Sequence, residues 1–111
     1  MGHTPLAAAA SNGHESIVRL LLAQDGVYVN FQTFLGHTPL AAAASNGHES
    51  IVRLLLAQDG VRVNTTTLLG QTPLAEAASN GHESIVRLLL AQGTVNAALS
   101  VFRISPYIER K

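Results

Sequence analysis

The stretch GHTPLAAAASNGHESIVRLLLAQDGV, residues 2–27, decides the fold, because it recurs without one change at residues 36–61, an offset of 34. A third copy opens at Gly70 and runs through Gln92, differing from the second only at Gln71 in place of His37 and Glu76 in place of Ala42. A period between about 20 and 50 residues marks a solenoid or array, in which each unit buries its apolar face only against a neighbour.

Within one copy the local signals are those of two helices. Thr4 followed by Pro5 is a helix start: the hydroxyl accepts an orphan backbone N–H, and proline at the first helical position loses no hydrogen bond. Leu6 to Ala10 continue the helix, the alanines keeping its surface thin enough for close approach of a second helix. Asn12 and Gly13 tolerate the left-handed backbone that ends a helix. A second helix is predicted over about His14 to Gln24. Ile17, Val18, Leu21 and Leu22, widened by Leu20, form its core stripe, while Glu15 and Arg19 pair four residues apart on its surface. After Gln24, Asp25 and Gly26, the segment Val27 to Leu35 reads as an extended or hairpin finger leading to Gly36.

Composition narrows the function. Of 111 residues 47% are hydrophobic, which supports one packed domain. Seven Lys and Arg balance seven Asp and Glu, so no basic field draws in nucleic acid or an anionic membrane surface. There is no cysteine for a disulfide, a thiolate metal site or a thiol nucleophile, which fits a reducing compartment. Apolar runs such as Leu6 to Ala10 fall far short of the ~20 residues of a membrane span, and no secretory signal is expected, since Met1 runs straight into a patterned segment. The expected location is intracellular, cytoplasmic or nuclear.

Residue types that carry chemistry are present without its geometry. His14, His48 and His82 occupy equivalent positions of stacked helices, roughly 8–10 Å apart, whereas zinc ligands lie about 2.1 Å from a shared ion. Each is read as capping its second helix and bonding to the neighbouring unit, with no metal or cofactor. His14, Glu15 and Ser16 adjoin in sequence, so on a helix they point apart and cannot line up as base, orienter and nucleophile. The glycines are too widely spaced for a phosphate-binding loop. No enzyme is expected.

These residues resemble the ankyrin repeat. The pattern is carried by Gly36, Thr38, Pro39, Leu40, Ala43, Ala44, Gly47, His48, Ile51, Val52, Leu54 to Leu56, Gly60, Val63 and Asn64. The histidine that usually follows T-P-L in that family is Ala7, Ala41 and Ala75 here. The resemblance covers units at residues 2–35, 36–69 and 70–96, with 97–111 as a degenerate start of a fourth unit or a tail, Ser105, Pro106 and Tyr107 echoing Thr72, Pro73 and Leu74. It implies an all-α solenoid of stacked helix-turn-helix units with short extended fingers. It further implies a non-enzymatic module that binds a protein partner through a concave surface of fingers and first helices.

Positions that vary between otherwise identical units are where recognition can be placed. They are Tyr28 against Arg62, then Phe31, Gln32 and Phe34 of the finger Phe31 to Leu35 against Thr65, Thr66 and Leu68 of the finger Thr65 to Leu69, with His3 and His37 against Gln71, and Ala42 against Glu76. The resemblance sets these on the concave side with Ser45 and Asn46. The candidate partner-binding set is Tyr28, Phe31, Phe34, His37, Ser45, Asn46, Arg62, Leu68, Gln71 and Glu76. Phe31 and Phe34 each have two readings, as an interface anchor or as packing on the neighbouring finger.

One thin helical pair cannot offset the entropy of ordering its chain, so stacking is obligatory. Terminal units of such arrays normally carry polar replacements on the open face, yet Leu6, Ile17 and Leu21 of the first unit match the second. Two alternatives therefore stand beside simple partner binding. The chain is a self-stacking structural or assembly element associating through uncapped ends, or a fragment of a larger signalling protein's sensor array.

Overall fold

Three Thr-Pro pairs start three helices. Thr4, Thr38 and Thr72 have extended backbone, and the hydroxyl of each accepts from the N–H of Ala7, Ala41 and Ala75 respectively, all at 3.1 Å. The computed structural model describes residues 3–100, with side chains through Gln92. Its elements are α1 (Pro5–Asn12), α2 (Glu15–Leu22), α3 (Pro39–Ser45), α4 (Glu49–Leu56), α5 (Pro73–Ser79) and α6 (Glu83–Ser100). Among the described residues there is no strand, and no helix is long and apolar enough to cross a membrane. The fold is all-α.

The helices form three hairpins, α1–α2, α3–α4 and α5–α6, and the hairpins stack in chain order. First helices pack on first helices, α1 on α3 and α3 on α5, while second helices pack on second helices, α2 on α4 and α4 on α6. Alanine makes the first contact close: Ala10, Ala43, Ala44 and Ala77 are fully buried. Between the two layers of helices, Leu6, Val18, Leu40, Ile51, Val52, Leu55, Ile85 and Leu89 form one continuous core.

Burial does not follow the repeat as evenly as the sequence does. Ile17, expected in the core stripe, is 46% exposed, while its copies Ile51 and Ile85 are 1% and 2% exposed. Leu20 is 66% exposed, so it does not widen that stripe. The cause is positional: α1–α2 packs over α3–α4 on one side, and among the described residues nothing packs on its other side. Leaving an isoleucine half exposed forgoes about half of the ~1.5–3 kcal/mol that full burial gives.

The last hairpin departs from expectation in a second way. The sequence places a connector at Gly93 to Asn96, but α6 stays helical past residue 96 to Ser100. The first two copies end their second helices with Asp25–Gly26 and Asp59–Gly60, whose glycines adopt positive φ of 77° and 79°. The third copy has Gly93 followed by Thr94 instead, and one glycine inside a helix costs only about 1 kcal/mol. The segment of the degenerate fourth unit from residue 101 to 111 lies outside the described residues.

Candidate partner-binding groove

The fingers fold as tight turns rather than strands. In the first, the Gly36 N–H donates to the Thr33 carbonyl at 2.8 Å and the Thr33 N–H to the His37 carbonyl at 2.9 Å. The second repeats this with Gly70 to Thr67 at 2.9 Å and Thr67 to Gln71 at 3.0 Å. The two are held in register by the Leu68 N–H on the Leu35 carbonyl at 3.1 Å, and by the Gln32 amide on the Thr66 carbonyl at 3.2 Å. Gly36 is required there: its φ is +89°, and a Cβ would lie 2.9 Å from the Leu68 nitrogen.

The first helices are stapled to each other at their far ends. The Asn46 amide donates to the Ser11 carbonyl at 3.0 Å, and His48 Nε2 meets the same carbonyl at 3.1 Å. Asn80 and His82 do the same to Ser45, at 2.9 and 3.0 Å. A carbonyl can only accept, so the proton of each imidazole sits on Nε2. The sequence reading of these histidines is thus half corrected. His48 occupies the N-cap position but makes no side-chain capping bond, its ring being turned to the neighbouring hairpin instead.

Between α1, α3 and the first finger lies a groove of about 410 Å³, lined by His3, Ala7, Ser11, Thr33, Phe34, Leu35, His37, Ala42, Ser45 and Asn46. Of the candidate residues, the structure brings Phe34, His37, Ser45 and Asn46 together here. Phe34 is 80% exposed at its rim. Glu76 reaches the groove's edge from α5, its Oε2 3.2 Å from His37 Nε2. Leu68 and Gln71 are exposed on the second finger.

The other candidates lie elsewhere. Tyr28 and half-buried Phe31 line a second hollow of about 210 Å³ with Thr4, Pro5, Leu6, Leu21 and Val27, on the open side of the first hairpin. Arg62 is exposed in the connector after α4, where its N–H donates to the Asn30 side chain at 2.8 Å. Ala7 lines the groove without being a sequence candidate, and no signal could have placed it there, since Ala41 and Ala75 repeat it. His3 and Ala42 did carry a signal, as they differ from Gln71 and Glu76.

Helical hairpins stacked side by side, with fingers in register and a groove against the first helices, define a helical-repeat solenoid. Comparison with protein families matches ankyrin repeats (3 copies), over residues 1–67 and again over residues 25–100. The chain belongs to the ankyrin repeat family, whose members are generally protein–protein interaction modules and typically not enzymes. A comparison with curated proteins finds no match.

Proposed function

We propose that this chain binds a protein partner in the groove between α1, α3 and the first finger. The observation that carries this is Phe34, 80% exposed on a rigidly hydrogen-bonded turn beside an open groove with an alanine floor. Exposed aromatic rings are enriched where proteins bind one another and contribute much of the contact energy once covered by a partner. The repeating blocks at 2–35, 36–69 and 70–96 are the scaffold, and the residues that differ between them supply specificity.

The test is to select peptides on the immobilised chain from a random library and compare their affinity for the parent and for Phe34→Ala. A loss of about tenfold or more, as for an interface anchor, supports the groove. Unchanged affinity at equal stability rules it out.

A second reading, self-stacking, rests on the exposed leading face. Ile17, Leu20 and Tyr28 are 46%, 66% and 59% exposed there beside the smaller hollow. Light scattering after size exclusion decides: a mass rising with concentration and lowered by Ile17→Lys supports it, and a concentration-independent monomer removes it.

A further inference from the structure

The two junctions between hairpins are built from the same positions but not the same chemistry. At the junction of the second and third, the imidazole of His37 faces the carboxylate of Glu76, Nε2 to Oε2 3.2 Å, with the Glu76 side chain only 15% exposed. One repeat earlier, 34 residues back at each position, stand His3 and Ala42. Both line the open groove, and among the described residues no carboxylate pairs with His3. The Ala42 methyl leaves unfilled the space that the longer Glu76 side chain takes one hairpin on.

The lining of that groove matches the missing group. It holds two imidazoles, three hydroxyls and an amide, with no acidic residue, over a floor of Ala7 and Ala42 beside Leu35 and Phe34. A carboxylate entering it beside His3 meets the His3 imidazole and the groove's hydroxyls, while the Glu76 carboxylate at the groove's edge is engaged by His37, and charge-assisted hydrogen bonds are roughly twice as strong as neutral ones.

We propose that the groove between the first two hairpins takes a glutamate or aspartate side chain of the protein partner, set against His3 in the place that Glu76 fills against His37. This rests on the reading of the groove as the binding surface and adds to it the chemistry of the occupant. Apolar residues flanking the acid would lie on Leu35 and Phe34, and Ala42 is the residue that keeps the site vacant.

The full chain is titrated with the blocked tripeptide acetyl-Leu-Glu-Leu-amide and with its glutamine counterpart, while the His3 ring and Ser11 amide resonances are followed by NMR. The glutamate peptide is expected to bind at least about tenfold more tightly, the ratio of a charge-assisted to a neutral contact. Ala42→Glu, which supplies the carboxylate from within, is expected to weaken the glutamate peptide about tenfold or more without lowering Tm, and His3→Ala to abolish the preference between peptides. Equal binding of the two peptides at the groove overturns the inference and leaves the groove reading standing. Undiminished binding to a folded Ala42→Glu chain also overturns it. Perturbation by neither peptide overturns it too, and the library experiment with Phe34→Ala then decides the groove reading separately.

Discussion

Gly13 lies directly beneath the ring of His48, so close that a Cβ on it would come within 2.8 Å of the imidazole Cε1 and 2.9 Å of Nδ1. The glycine ends α1, and the ring belongs to the next hairpin. Their packing holds the imidazole where its Nε2 reaches the Ser11 carbonyl at 3.1 Å.

Gly13→Ala should therefore cost more than backbone strain alone. Gly60 has the same positive φ of 79°, with nothing within 4 Å of the place a Cβ would occupy, and its replacement by alanine is expected to cost about 1–2 kcal/mol. At Gly13 the displaced ring also loses its hydrogen bond, adding about 1 kcal/mol or more. Urea denaturation of the two variants checks this, and equal losses would contradict the close packing.

His48→Ala removes a bond between hairpins and is expected to destabilise the array by about 1–3 kcal/mol, leaving the Ser11 carbonyl with one donor fewer. His14 has the same neighbours in sequence, but among the described residues no hairpin precedes it. His14→Ala is expected to stay within about 0.5 kcal/mol of the parent. Thermal melts of the pair measure the difference.

The contrast between those histidines shows where sequence reading reached its limit. Helix starts were legible because Thr4, Thr38 and Thr72 cap from three residues away, and helix ends because glycine marks them locally. The partner of His48 is 37 residues back, at Ser11, so its sequence neighbours suggested a cap that does not form. Ile17 and Ile51 sit in identical strings, and only the presence of a hairpin alongside makes one exposed and the other buried. In the site, Phe34 and His37 were legible as variable positions. The separation of Tyr28 and Phe31 onto a different face was not, because it depends on how the finger leaves α2.

Acid should weaken the first two hairpins. The carboxyl of Glu15 is held below its ordinary value of 4.5, chiefly by the hydrogen bond from Arg19 and then by the Ser50 hydroxyl. Glu49 is held down in the same way by Arg53 and then Ser84. A carboxyl with a lowered folded-state value stabilises the fold above its unfolded value, and that stabilisation is lost as pH falls through the folded one. The urea midpoint is expected to drop as pH falls below about 4.5, and less steeply for Glu15→Gln/Glu49→Gln. Identical acid slopes in parent and variant would contradict the assignment.

Leu55 is fully buried in the continuous core between the helix layers. Leu55→Ala is expected to cost about 2–5 kcal/mol through lost transfer energy and a residual cavity. A calorimetric change corresponding to less than about 1 kcal/mol would contradict its place in the core.

Each hairpin is completed by the one beside it, and Ile17 and Ile51 report on this because their sequence surroundings are the same while their exposures are 46% and 1%. Equilibrium urea unfolding of Ile17→Ala and Ile51→Ala gives the comparison. The expected loss is below about 1 kcal/mol for the first and about 2–5 kcal/mol for the second. Equal losses would contradict it.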